Sequence, residues 1–271
     1  MMPFSWRWSV VTVLMVGAVL FPLVWAVISS LTPESRLFQP PGLPQQLVLD
    51  HYRALFNARD FWTPIRNSII VAGATTVLSV TLGTACAYAL ARLRFRGKAM
   101  ALAFVLAVSM FPQISIVSPL YLMLRELRLL DTYPGLVLPY LTFAMPLTIW
   151  MLVGFFRQLP VELEEAAFMD GAGRWRTIRE VILPLAAPGV ATTAILTFLY
   201  CWNEFLFALS FALGPDSYTV PVAIALFRGQ YQVPWGEILA AAVVATVPVA
   251  AMVLVAQRRI VAGLTAGAVK G

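Results

Sequence analysis

The sequence predicts an all-α membrane protein: six transmembrane helices in a single domain over residues 1–271. Three observations carry this reading. The chain is 60% hydrophobic and only 12% charged, whereas a water-soluble domain carries roughly 25% charged residues. Its mean hydropathy is positive. Its apolar residues gather into charge-poor runs, each longer than the ~20 residues a helix needs to cross ~30 Å of hydrocarbon. Lipid leaves no partner for an unpaired backbone group, and the runs are too long and too uniformly apolar for barrel strands.

Taken in order, the predicted spans are 8–31, 67–91, 99–124, 132–156, 181–213 and 238–257. The apolar stretch of the first is too long for a signal-peptide core, and no small-residue cleavage site follows it. Residues 32–66 carry Pro33, Pro40, Pro41, Pro44 and Pro64. The Pro-Pro-Gly-Leu-Pro stretch at 40–44 reads as an extended connector, since Pro fixes φ and removes a donor. Residues 50–57 read as a short amphipathic helix on the membrane surface. The cluster Arg92, Arg94, Arg96 and Lys98 reads as a topological anchor facing anionic lipid. Pro112, Pro119, Pro139 and Pro146 bend spans three and four, which is tolerated beside other helices or a cavity. Spans three to five are therefore expected to form a translocation wall. The fifth span is interrupted only by Glu204.

An even number of spans puts both termini on one side. Of the 19 Lys and Arg, only Arg36, Arg53, Arg59, Arg66, Arg125, Arg128 and Arg228 fall on the predicted outer segments. The positive-inside rule then makes both termini cytoplasmic. The net charge of +6 is thus mainly a topology signal, and no basic face on a soluble domain suggests nucleic acid. Cys86 and Cys201 lie inside predicted helices at different depths and read as packing residues. The single His51 has no Cys/His/Asp cluster around it in sequence, so no metal site is expected. No nucleophile–base pattern and no phosphate-cradling Gly-Lys-Ser/Thr loop is visible, so any ATP must be bound by a partner.

The most informative stretch is the polar island 162–184, between spans four and five. Glu162, Glu164 and Glu165 suit the positive end of a helix dipole just after Pro160. Ala166 and Ala167 are small enough for close approach to another surface. Asp170 follows, and Gly171-Ala172-Gly173 breaks the helix. A second amphipathic turn, 174–180, leads into Leu183-Pro184 and the fifth span. The expected product is a helix–turn–helix lever, the element 161–180, held between two spans.

The spacing of Glu165-Ala166-Ala167, Gly171 and Leu183-Pro184 resembles the motif that ATP-binding-cassette importer permeases present to their ATPase. One position departs from the pattern: Val181 stands where the family usually has Ile. Further likeness covers nearly the whole chain: Asn67-Ser68, the 87–92 segment, the 95–98 segment, Met110-Phe-Pro112, Trp202-Asn-Glu-Phe205 and the tail from Gln257. These are similar to the carbohydrate branch, and most of all to the maltose-permease MalG type.

The resemblance implies the type I ABC importer permease fold, with a cytoplasmic coupling helix. Glu165, Ala166, Ala167, Asp170, Gly171, Leu183 and Pro184 would couple to the ATPase. It also implies that the 258–271 tail, loose by composition, docks through Gly263, Leu264, Gly267 and Lys270. Trp202, Asn203 and Glu204 are expected to line or gate the solute pathway, Glu204 because a lone carboxylate in lipid is costly.

One six-span chain forms half of a pathway. The implied partners are a second homologous permease, two ABC ATPase subunits that bind ATP and Mg, an extracytoplasmic sugar-binding protein, and membrane lipid. This chain itself would hold no cofactor and catalyse nothing. The implied setting is a bacterial or archaeal cytoplasmic membrane, and the implied solute a disaccharide or oligosaccharide of maltose or trehalose type. A glycerol phosphate or a polyol is the alternative. A secondary transporter would need more intramembrane ionisable groups than Glu204, and a membrane enzyme would need paired catalytic groups.

Overall fold

A computed structural model describes residues 6–39, 46–227 and 233–266. The predicted connector at 40–44, and Gly267 and Lys270 of the predicted tail contact, lie outside the described residues. All regular structure among the described residues is helical. In chain order the helices are α1 (Trp6–Ser30), α2 (Asp50–Asn57), α3 (Trp62–Arg92), α4 (Lys98–Ser109), α5 (Gln113–Glu126) and α6 (Tyr133–Gln158). Then follow α7 (Glu162–Met169), α8 (Arg174–Thr177), a π turn (Ile178–Ile182), α9 (Leu183–Trp202), α10 (Leu206–Phe211), α11 (Val220–Ala225) and α12 (Trp235–Ala266). Among the described residues, five helices are long and apolar enough to cross a membrane, or six spans if the bent pair α4–α5 counts as one.

Three predicted spans differ from what forms. Residues 99–124 do not make one helix: α4 and α5 meet at 88°. Pro112 stands immediately before α5 with extended backbone, so the helix is interrupted where Met110 and Phe111 precede it. The fifth span starts earlier and stops earlier than predicted. Helical backbone runs from Arg174 to Trp202 through the π turn, which lies just before Leu183-Pro184, where Pro184 has no N–H to return. The chain then breaks at Asn203 and resumes as the short α10. The last span continues as helix to Ala266, so Gly263 and Leu264 belong to α12 rather than to a loose tail. The surrounding Ala, Val and Leu are good enough helix formers or fillers to carry one Gly, which costs only ~1 kcal/mol.

The chain divides into two compact units. The first comprises Met1–Thr63 and Ala223–Pro248. The apolar side chains of α1 are exposed along its length, as a helix apolar on every face requires when lipid is its solvent. Its end is tied to α2 by a hydroxyl pair, Ser30 with Tyr52 at 2.7 Å, and by His51 Nε2 at 2.9 Å from the Thr32 carbonyl. Glu34 accepts the N–H groups of Trp235 and Gly236, capping the start of α12. Arg59 pairs with Glu237 at 2.8 Å while lying over the Phe227 ring. Gly236 allows the close approach of His51, because a Cβ there would fall 2.2 Å from the imidazole.

The second unit comprises Pro64–Val222 and Val249–Gly271. Its core joins α3, α6 and the π turn–α9 segment through Ala87, Tyr88, Leu152, Phe156, Ile182 and Ala186. Small residues set the helix spacing, as in other membrane bundles. Gly83 sits against Thr148, and Gly189 against the Phe155 ring, where an added Cβ would come within 2.8 Å and 2.5 Å of them. Thr148 and Thr197 share a hydrogen bond of 2.9 Å between α6 and α9. A polar cluster binds the start of α3 to the 212–220 stretch. The Asn67 amide donates to the carbonyls of Asp216 and Tyr218 and accepts from the Tyr133 hydroxyl, while Ser68 accepts from the Val220 N–H.

Candidate functional site

The polar island forms the predicted helix–turn–helix. Glu162, Glu164 and Glu165 occupy the first turn of α7, where carboxylates complement the helix dipole. Gly171 takes a left-handed φ of +79° and closes the helix, its N–H bonded to the Phe168 carbonyl, with Ala172 N–H returning to Ala167. The element then re-enters helix at Arg174.

The predicted coupling residues divide by exposure. Glu165, Ala166, Asp170, Gly171 and Pro184 are exposed, Leu183 is half-buried, and Ala167 is buried. Beside them lie apolar side chains with no cover: Met169 is 88% exposed and Trp175 73%. Both stand on the same helix–turn–helix element as the exposed motif residues.

Sequence reasoning missed the anchor beneath this surface. The side chain of Glu164 is buried and lies 2.8 Å from Arg92 Nε, which is buried as well. This contact is ionic and lies off the line of a hydrogen bond. Glu164 also accepts the Tyr88 hydroxyl at 3.1 Å. Arg92 donates a hydrogen bond of 2.6 Å from Nη2 to the Leu159 carbonyl at the end of α6. Arg92 is therefore an internal clamp and not a lipid-facing anchor. Lys98 also turns inward, to the carbonyls of Ala91 and Leu93, which leaves Arg94 and Arg96 exposed. The free carbonyls at the end of α3 and α6 supply the physical reason, because cations satisfy them and complement the dipole.

A cavity of about 760 Å³ opens among α4, α5, α6 and α9. Aromatic rings of Phe104, Trp150 and Tyr200 line it together with the polar groups of Ser109, Gln113 and Thr142. Among the described residues that line it, none is charged. The cavity is lined by residues of the third, fourth and fifth predicted spans.

Trp202, Asn203 and Glu204 are brought to a helix break, not to this cavity. Trp202 is 3% exposed and stacked on Phe198, so its ring faces protein and cannot receive a pyranose. Glu204 is buried and accepts the N–H groups of Phe207 and Ala208, at 2.8 Å and 3.1 Å. The hydrophobic count placed it inside a span. In the fold it satisfies donors that the break exposes. Asn203 is exposed, with its amide returned to the Leu199 carbonyl.

Comparison with known proteins follows this geometry closely. Residues 79–265 match the family model described as "Binding-protein-dependent transport system inner membrane component". The trehalose transport system permease protein SugB of Mycobacterium tuberculosis is 48% identical over 266 residues, covering 97% of each chain. The trehalose/maltose transport system permease protein MalG of Thermococcus litoralis is 40% identical, covering 96% of this chain and 94% of that one. Among solved structures, a bacterial ABC transporter involved in import of the acidic polysaccharide alginate superposes with a TM-score of 0.77 at 23% identity, over 92% of this chain and 94% of that one. Its likeness is one of fold. On the helical architecture, the motif element and these matches together, the chain belongs to the inner membrane components of binding-protein-dependent transport systems, the permeases of ABC importers.

Proposed function

We propose that this permease carries a neutral disaccharide or oligosaccharide of the trehalose/maltose class. It forms half of the translocation pathway and couples it to ATP hydrolysis by a partner. The observation that carries the coupling is the uncovered apolar surface at Met169 and Trp175, set beside the exposed motif residues Glu165, Ala166 and Asp170. Such a patch beside the motif residues calls for a protein surface to cover it. The relatives' trehalose and maltose solutes support the sugar class. The aromatic and hydroxyl-bearing lining of the cavity supports it further, and the lack of charge there favours an uncharged solute.

In this reading the partners are a second permease of the same family, two ABC ATPases that hold ATP and Mg, and an extracytoplasmic binding protein. The chain holds no cofactor and performs no catalysis. Both termini and the 161–180 element face the cytoplasm of a bacterial or archaeal cell, and α12 continues toward the ATPases through Gly263 and Leu264. The test is purification of the assembled complex in lipid nanodiscs with its binding protein. Trehalose or maltose is expected to raise ATPase turnover, and glycerol phosphate or a polyol to leave it unchanged. Stimulation by the latter alone would overturn the sugar assignment.

A further inference from the structure

The helix that carries the coupling motif has little apolar attachment to the rest of its unit. The only buried side chains of α7 are Glu164 and Ala167. A methyl group resists compression but not withdrawal, since a dispersion contact is short-ranged and weak. Glu164 is different in kind. It reaches a buried guanidinium at 2.8 Å on α3 and a hydroxyl at 3.1 Å, also on α3. Tyr88, which supplies that hydroxyl, packs edge-on against Phe156 of α6, itself fully buried. Arg92 simultaneously holds the Leu159 carbonyl at the end of α6. One side chain of α7 is therefore held by two groups of α3, and those two groups are themselves tied to α6, one by a hydrogen bond at its end and one by ring packing, all shielded from water.

We infer that Glu164, Arg92 and Tyr88 form a tension-bearing latch, which makes α7 move as one body with α3 and α6 in both directions of the transport cycle. This deepens the coupling reading above and rests on it. Exposed Glu165 presents to the partner; buried Glu164, its neighbour in sequence, is a positioning residue that passes the movement inward. Pushing α7 against the bundle needs no latch. Pulling or rotating it is where a latch matters, because among the described residues no other side chain of α7 makes a polar bond to α3 or α6. Loss of the latch should therefore uncouple hydrolysis from movement rather than abolish either.

The experiment uses the assembled complex in proteoliposomes and reads solute imported per ATP hydrolysed. Glu164→Gln keeps size and an acceptor but removes the charge, and Tyr88→Phe removes only the hydroxyl. The import-to-hydrolysis ratio is expected to fall roughly fivefold in Glu164→Gln, and less in Tyr88→Phe, while hydrolysis persists. The reversed pair, Arg92→Glu with Glu164→Arg, is expected to recover part of the ratio relative to Glu164→Arg alone. A role confined to folding would lower the amount of complex and leave the ratio of what assembles unchanged, which overturns the latch. If Glu164→Gln does not assemble, an unchanged ratio in Tyr88→Phe overturns it instead. Failure of the wild-type complex to show ATP-driven import would overturn the coupling reading itself, a distinct result.

Discussion

The carboxylate of Glu204 receives the backbone N–H of Phe207 at 2.8 Å. A residue that stood out in sequence as an isolated charge is, in the fold, a helix cap. Its second oxygen takes the N–H of Ala208, so both acceptor atoms are committed to the start of α10. Glu204→Ala should lower stability by about 1–2 kcal/mol by exposing those donors. Glu204→Gln, which keeps one acceptor, should cost less. Thermal unfolding in detergent checks the order, and the half-saturating sugar concentration of the remaining complex should stay unchanged. A large rise in that concentration with unchanged stability would return Glu204 to the solute pathway.

Glu165 and Gly171 bear on coupling from the exposed side of the same element. Gly171 holds a φ of +79° with open space around its Cα, so a side chain there meets backbone strain rather than a clash. Gly171→Val should cost about 1–2 kcal/mol locally and misdirect α8. Glu165→Lys leaves the fold intact, since the side chain is exposed. Both variants are expected to insert at normal levels and to lose uptake. Normal transport in both would overturn the coupling role of this face.

Gly236 and His51 are in contact where a methyl group has no room. Gly236→Ala would push the imidazole from its 2.9 Å contact with the Thr32 carbonyl. Overpacking of this kind costs about 1–3 kcal/mol. The melting temperature should fall, and His51→Ala in the same chain should restore part of the loss. An unchanged melting temperature in Gly236→Ala would show that this contact yields freely.

Asp131 supplies the pH dependence. Partial burial raises its pKa, but the Ser217 hydroxyl and the N–H groups of Leu213 and Gly214 outweigh this and leave it below the ordinary carboxylate range. A depressed folded pKa means the unfolded chain takes up the proton first as pH falls. The stabilisation is therefore complete above the ordinary carboxylate pKa and is lost as pH drops through the lowered folded value. Asp131→Asn should destabilise the protein at neutral pH, and the gap to the wild type should narrow under acid. Unfolding curves across acidic to neutral pH measure this directly. A gap that does not change with pH would show that the carboxylate charge contributes nothing.

The membrane class was legible because lipid imposes one rule on every residue of a span. A run such as that of α1 needs no tertiary partner to declare itself, and its side chains remain uncovered in the fold. The α7–Gly171–α8 turn was equally legible, since acidic residues at a helix start and a left-handed glycine after its end act within a few residues of chain. The bend at Pro112 was half visible: proline forecast a distortion, but the 88° angle depends on how α4 and α5 pack.

What the chain alone determined is thus the set of properties that depend on near neighbours in sequence or on the solvent: the membrane class, the motif turn, and the family. Only the tertiary structure decided the fate of the charges. Arg92 resembled a lipid anchor and Glu164 one acid among three, until α3, α6 and α7 brought them together in a buried pair. Glu204 looked like an intramembrane charge until the break after Trp202 provided donors for it. A buried charge is tolerated only when something satisfies it, and that partner lies wherever folding puts it, without a period or spacing along the chain to announce it.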